Sequence, residues 1–271
     1  MIRNEKRFYN TSYGENYPDT TSKKSTFVYL KGFDYNDTII TMDIHELARH
    51  LDFANHHPNA TTNDVQTLCD QVIKHGFHAA FVNPIHVAYA KKILGKSGIV
   101  GTAVSFPLGQ DRVDIKITAA LKAVEDGVDE LDIVPNTASL LSDPKGTSYL
   151  EEIVQIVRAI RQENAITIIK FIIETGYLTT SHIQTAARLI KDSGADYVKF
   201  ATGMGPKGAT LEDLAIIKEV VGPDMKIKVA GGVDTYKEAV EFISAGVTRI
   251  GTSKAIEIIS NTQSSKTTSS E

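Results

Sequence analysis

Cysteine is almost absent: Cys69 is the single thiol in 271 residues. A disulfide framework within the chain is thereby excluded, and so is a cysteine-built metal centre. Cys69 falls in a helical pattern with Val65, Leu68 and Val72, which predicts a buried structural thiol and not a nucleophile. Long hydrophobic runs are also missing. No stretch approaches the roughly eighteen apolar residues of a membrane-spanning helix, and the N-terminus lacks a signal-peptide core. The expectation is a cytoplasmic protein that does not touch a membrane. Without a secretion signal the glycosylation pattern Asn10-Thr11-Ser12 is discounted. There is no excess of positive charge: the formal net charge is -4, so non-specific nucleic-acid binding is not indicated. A local phosphate pocket needs only a few positive groups and stays open. No Gly-x-Gly-x-x-Gly follows a first strand and no Walker loop occurs, so nucleotide binding has no motif behind it. His50, His56 and His57 cluster near a strand end, but no His/Asp/Glu grouping has metal-ligand spacing. These histidines read as solvated loop residues, and neither a metal nor a cofactor is expected.

What is present is a regular alternation. Apolar residues make up 42% of the chain, enough for a substantial core in one α/β barrel or two smaller domains. Short apolar runs predict strands at 51–54, 79–82, 99–104, 130–134, 167–173, 197–200, 227–230 and 248–250. Helical periodicity predicts helices between them, at 43–50, 61–75, 84–94, 113–126, 149–163, 180–193, 210–221 and 235–245, and another from 255. Thr180 is the expected cap of one helix, and Thr210 with Asp213 has the spacing of a capping box. Parallel strands covered by helices read as continuous apolar runs, as most of these do. Eight strand–helix units predict a (β/α)8 TIM barrel over residues 41–260, with its active site at the C-terminal ends of the strands. A doubly wound sheet is the alternative. Residues 1–40 are aromatic-rich, with Phe8, Tyr9, Tyr13 and Tyr17 among them, and predict a partly ordered or flexible arm. Residues 261–271 predict a disordered polar tail.

Four of the apolar runs contain a charge. Asp132, Lys170, Lys199 and Lys228 each sit inside a predicted strand. A charge there is costly unless it is paired or used. Side chains alternate along a strand, so all four can point into the barrel and share one pocket. Burial and a second nearby cation lower the pKa of a lysine and free its amine to attack a carbonyl. Lys199 and Lys228, on adjacent strands, fit that requirement, and Asp132 can accept or relay a proton. Gly231-Gly232 follows Lys228 closely, and Gly251-Thr252-Ser253 follows the last strand. Bare backbone N–H groups at such places can cradle a phosphate.

The ordered combination of Glu130-Leu131-Asp132-Ile133-Val134, Tyr197-Val198-Lys199-Phe200-Ala201-Thr202-Gly203, Lys228-Val229-Ala230-Gly231-Gly232 and Arg249-Ile250-Gly251-Thr252-Ser253 resembles the deoxyribose-phosphate aldolase family. The similarity covers roughly residues 43–260. It implies a metal-free class I aldolase on a (β/α)8 barrel. Such an enzyme cleaves 2-deoxyribose 5-phosphate to glyceraldehyde 3-phosphate and acetaldehyde. By this resemblance Lys199 is the Schiff-base lysine, Lys228 its pKa-lowering neighbour, Asp132 the acid/base working through a water, and Lys170 a support of the polar network. Gly203, Gly231, Gly232, Gly251, Thr252 and Ser253 fall at the sugar phosphate. Asp52, Ala54, Ala201 and Thr202 form the substrate shell. A homo-oligomer, a dimer, is the expected assembly. The family's usual Asp-x-Thr is Asp52-Phe53-Ala54 here, its Thr-Ser-Thr-Gly is Phe200-Ala201-Thr202-Gly203, and the tail lacks the tyrosine that ends some members. Two other readings stay open: Schiff-base chemistry on a different phosphorylated sugar or aldehyde, and a non-catalytic barrel serving as scaffold or regulator.

Overall fold

The computed structural model describes residues 41–260; the expected N-terminal arm and C-terminal tail lie outside the described residues. In chain order the helices are α1 (Ile44–Ala48), α2 (Thr62–His75), α3 (Val87–Leu94), α4 (Val113–Glu125), α5 (Thr137–Ser142), α6 (Thr147–Glu163), α7 (Thr180–Asp192), α8 (Leu211–Val221), α9 (Tyr236–Ser244) and α10 (Ala255–Ser260). The strands are β1 (Leu51–Asn55), β2 (Ala79–Val82), β3 (Val100–Val104), β4 (Glu130–Ile133), β5 (Ile168–Ile172), β6 (Tyr197–Lys199), β7 (Lys226–Ala230) and β8 (Arg249–Thr252). All eight are parallel and follow one another around a closed barrel. The pairing of Leu51 with Ile250 between β1 and β8 closes it, which rules out the open, doubly wound alternative.

The barrel follows from two periodicities acting together. Every residue of β2, β3 and β4 is buried, because one strand face meets helices and the other meets the barrel interior. Leu131 and Ile133 belong to the helix-facing core, and alternation turns Glu130 and Asp132 the other way. Helix α6 buries Ile153, Ile156, Val157 and Ile160 as one stripe, and α7 does the same with Ile183, Ala186, Ala187 and Ile190. Cys69 lies on the buried side of α2. Burial, with Asp70 adding to it, pushes its thiol pKa up to about 11, so it stays an inert apolar filler.

Three local readings are corrected. The cap of α7 is Thr179, which accepts from His182 N; Thr180 is already helical. Thr210 caps α8 by accepting from Asp213 N at 3.1 Å, but the return bond of a capping box is absent. The Asp213 carboxylate instead accepts from Thr175 Oγ1 at 2.8 Å and Lys207 Nζ at 3.1 Å. Complete boxes form at Thr61–Asp64 and Thr235–Glu238. The short α5, capped by the Asn136 side chain, lies in a segment where sequence periodicity gave no helix.

Candidate active site

Register places the charges. In parallel pairing Lys199 lies directly beside Lys228, Asp132 beside Lys170, and Ile172 beside Lys199. Paired residues on neighbouring strands share a face, so the charges converge inside the barrel. Asp132 is the hub. Its carboxylate lies 2.8 Å from Lys199 Nζ, 2.9 Å from Lys228 Nζ and 3.1 Å from Lys170 Nζ. Glu130 takes a second contact to Lys170 at 2.7 Å and meets His78 at 3.0 Å. Asp52 pairs with Lys228 at 2.6 Å. All six acids and lysines of this network are buried. Low dielectric makes such pairs strong and makes any unpaired member costly.

The same network sets protonation. Burial opposes ionisation of Asp132, but Lys170, Lys199 and Lys228 outweigh it and hold its pKa well below the usual carboxylate value. Burial likewise opposes the charge on Lys170, and the Asp132, Glu130 and Asp52 carboxylates overcome it, so its pKa is raised. Lys199 goes the other way. Burial lowers its pKa most, Asp132 pulls against that, and Lys228 and Lys170 add repulsion; the result is about 8. Lys199 is therefore poised to lose its proton near neutrality.

Above the network opens a cavity of about 390 Å³ at the C-terminal ends of the strands. Asp132, Lys199 and Lys228 reach its floor, and Ala54, Thr202, Gly203, Gly231, Gly232, Gly251, Thr252 and Ser253 line its wall. Three of the expected site residues do not line it. Lys170 and Asp52 lie beneath, fully buried among their ion partners, and Ala201 is buried away from the opening. Gly203 and Gly231 both have positive φ. A Cβ on Gly231 would come within 2.4 Å of Gly203 Cα, so the loops after β6 and β7 meet backbone to backbone only because both positions lack side chains. The Thr202 backbone N–H donates to Glu174 Oε2 at 3.0 Å, and its hydroxyl also bonds Glu174. That fastens the loop after β6 to the loop after β5.

His56 corrects the solvated-histidine reading: it lines the cavity with Lys199 and Asp132 and packs against the Phe106 ring at 5.2 Å. Phe106, Met204, Asp234 and Lys254 also border the cavity and had no motif to mark them. The signal for His56 was weak: it follows Ala54 by two residues, a spacing that returns a side chain to the same side of an extended chain, but it lies just past the end of β1. Elsewhere, single ligand atoms of Asp52, His78 and Glu130 lie within 4.8 Å of one another. The carboxylates already face Lys228 and Lys170, so this group reads as the floor of the ion network.

Phe81 packs the interior tightly. Lys228 Nζ stands 3.5 Å from its ring centre and Lys170 Nζ 4.9 Å. On another side the ring presses on Gly101, where a Cβ would lie 2.2 Å from it. The buried ring would have to shift off Gly101, against Lys228 or toward the cavity that it borders, so Gly101→Ala is expected to destabilise the barrel by about 1–3 kcal/mol through overpacking. Urea denaturation reads it directly; a change under about 0.5 kcal/mol would mean that the interior yields.

Known proteins resemble this chain over most of its length. The family model described as DeoC/LacD family aldolase matches residues 38–253. This chain belongs to that aldolase family. A deoxyribose-phosphate aldolase of Thermococcus kodakarensis is 42% identical over 222 residues, covering 80% of this chain and 97% of that protein. One of Caldicellulosiruptor saccharolyticus is 40% identical over 218 residues, covering 79% and 97%. Among solved structures, the tetrameric deoxyribose phosphate aldolase of Aeropyrum pernix superposes with a TM-score of 0.74 at 27% identity, covering 82% of this chain and 93% of that one. The aldolase fold and the eight-stranded barrel are thus common to the family and to this chain.

Proposed function

We propose that this chain is a class I aldolase that reversibly cleaves 2-deoxy-D-ribose 5-phosphate to D-glyceraldehyde 3-phosphate and acetaldehyde through a Schiff base on Lys199. The observation that carries the reading is a buried amine of lowered pKa, about 8, held 2.8 Å from a carboxylate on the floor of a cavity walled by glycine loops. The neutral Lys199 amine adds to the C1 aldehyde, and loss of water gives the iminium. Asp132, acting through a water, takes the proton of the C3 hydroxyl. The C2–C3 bond then breaks; its electron pair moves into the iminium to give an enamine, and the C3 oxygen becomes the aldehyde of glyceraldehyde 3-phosphate. Protonation of the enamine at C2 and hydrolysis release acetaldehyde and the free amine. A carboxylate whose pKa is held so low stores a proton poorly, which suits Asp132 to relay it. The backbone amides of Gly203, Gly231 and Gly232 with Ser253 hold the phosphate. The names of the relatives support the substrate, and cleavage of 2-deoxyribose 5-phosphate followed by acetaldehyde release tests it. If other phosphorylated aldehydes are condensed and this sugar is left intact, the second reading from the sequence replaces it. We also propose a cytoplasmic homo-oligomer. The tetramer named for the Aeropyrum protein makes subunit number, read by light scattering, an open choice between dimer and tetramer.

Lys228→Leu is expected to move the acidic edge of the pH–rate profile upward. A positive charge at Lys228 disfavours the protonated form of Lys199; removing it favours that form, so more alkali is needed to free the amine. The edge should start near 8 and rise by about one unit or more, as a property of the coupled site. At neutral pH the rate then falls about tenfold. An unmoved edge would contradict the electrostatic role of Lys228.

A further inference from the structure

Ala54 offers no hydroxyl at the end of β1, but the chain returns a polar group to the same side two residues later. His56 and Ala54 line one cavity with Lys199 and Asp132. The imidazole is held from several directions. Its ring lies against Phe106 at 5.2 Å with 40° between the planes. Asn55 Oδ1 accepts from His57 N at 3.1 Å, and Asn83 Nδ2 donates to the His57 carbonyl at 3.0 Å. Those bonds fix the turn that carries His56 inward. The charges acting on the ring are those of Lys199, Asp132 and Lys228, the three groups on the cavity floor.

Building on the proposed function, we infer that His56 reads the acceptor hydroxyl, the one beside the reacting carbonyl of glyceraldehyde 3-phosphate. The topology supports the placement. The amine stands on β6, the phosphate loops follow β7 and β8, and β1 pairs with β8 through Phe53 and Thr252. Ala54 and His56 line the same cavity as Lys199 and those loops, so a substrate held between the amine and the loops shares the cavity with them. The ring stays neutral: burial, then Lys199, push its pKa down, Asp132 resists, Lys228 adds to the push, and it settles at about 4. A neutral imidazole has one donor and one acceptor nitrogen, and a hydroxyl pairs with either. No third cation is then added beside Lys199. A fixed hydrogen-bonding ring that a bound substrate covers discriminates well, because a substrate lacking the hydroxyl leaves it unpaired.

The test compares kcat/KM for two acceptors with acetaldehyde as donor: D-glyceraldehyde 3-phosphate, and 3-oxopropyl phosphate, which keeps aldehyde and phosphate but lacks the hydroxyl. Wild-type enzyme should prefer the first. His56→Phe keeps a ring against Phe106 and removes both nitrogens; it should cut the preference about tenfold, through loss on the hydroxylated acceptor. His56→Asn should recover part of it. An unchanged preference in His56→Phe, or an equal fall for both acceptors, would overturn the assignment, since packing alone affects both alike. His56→Leu serves with the same two outcomes if the Phe variant does not fold. Wild-type enzyme that condenses neither acceptor contradicts the aldolase reading itself. Wild-type enzyme that condenses both equally well overturns only the role of His56.

Discussion

Lys199→Ala should remove activity by on the order of 10⁴-fold or more, the scale of loss that follows removal of a covalent nucleophile. The reason is that the other lysines of the cavity are committed to ion pairs: Lys254 Nζ lies 2.6 Å from Asp234. Lys228 Nζ is ion-paired to Asp52 at 2.6 Å and Asp132 at 2.9 Å. Lys170 lies beneath the cavity, and its pKa is raised by the surrounding carboxylates once their pull exceeds the cost of burial. Lys199 combines an opening to the cavity with a pKa lowered to about 8. The fold should survive, because Ala removes one of three cations that share the Asp132 carboxylate. Steady-state cleavage of 2-deoxyribose 5-phosphate, with circular dichroism as the check on folding, separates lost chemistry from lost structure. A folded Lys199→Ala protein within about tenfold of wild type would place the nucleophile elsewhere.

The second large effect falls on stability. Asp132→Asn keeps the shape but removes the charge on which three buried lysines converge. Breaking a buried ion pair from one side leaves uncompensated charge and costs about 3–5 kcal/mol, far more than a surface pair. The effect has a pH signature whose sign is fixed. The folded pKa of Asp132 is depressed by the lysines against the opposing effect of burial. Its stabilisation is therefore present above the unfolded value of about 3.9 and is lost as pH falls toward the folded value. Wild type and variant should differ fully at neutral pH and converge in acid. Asp132 also raises the pKa of Lys199, so any residual activity of the variant should show its edge at lower pH. Urea denaturation at neutral and acid pH reads the stability gap. A neutral-pH loss under about 1 kcal/mol would mean that water, not Asp132, screens the lysines.

The barrel was legible because each unit repeats the same physics: an apolar run, a turn, an amphipathic helix. Asp132, Lys170, Lys199 and Lys228 stood out because a charge in a strand core needs a partner, and alternation put them on one face. Sequence could not say who the partners are. Asp52 was expected beside the substrate; register brings it under Lys228 instead. Asp213 was expected to return a bond to its helix cap, but Thr175 and Lys207, distant or on a loop, compete for the carboxylate. His56 was missed for a different reason. It lies one residue past the end of β1, where alternation no longer guarantees direction, and the Phe106 ring and the Asn83 bond to the His57 carbonyl, both contributed by other units, help hold the turn inward. Ala201 kept the right parity for the cavity, yet β6 ends at Lys199 and the chain turns it into the core.

The most direct measurement is borohydride reduction of the wild-type protein in the presence of acetaldehyde, followed by peptide mass mapping. Reduction fixes an iminium as a secondary amine on the lysine that formed it. The expected result is a two-carbon adduct on the peptide carrying Lys199, growing as pH rises through about 8, where burial and the neighbouring lysines set the loss of its proton. The reduced protein should be inactive. An adduct confined to Lys228 or Lys170, or none on any lysine while the protein still cleaves 2-deoxyribose 5-phosphate, would contradict a Schiff base on Lys199.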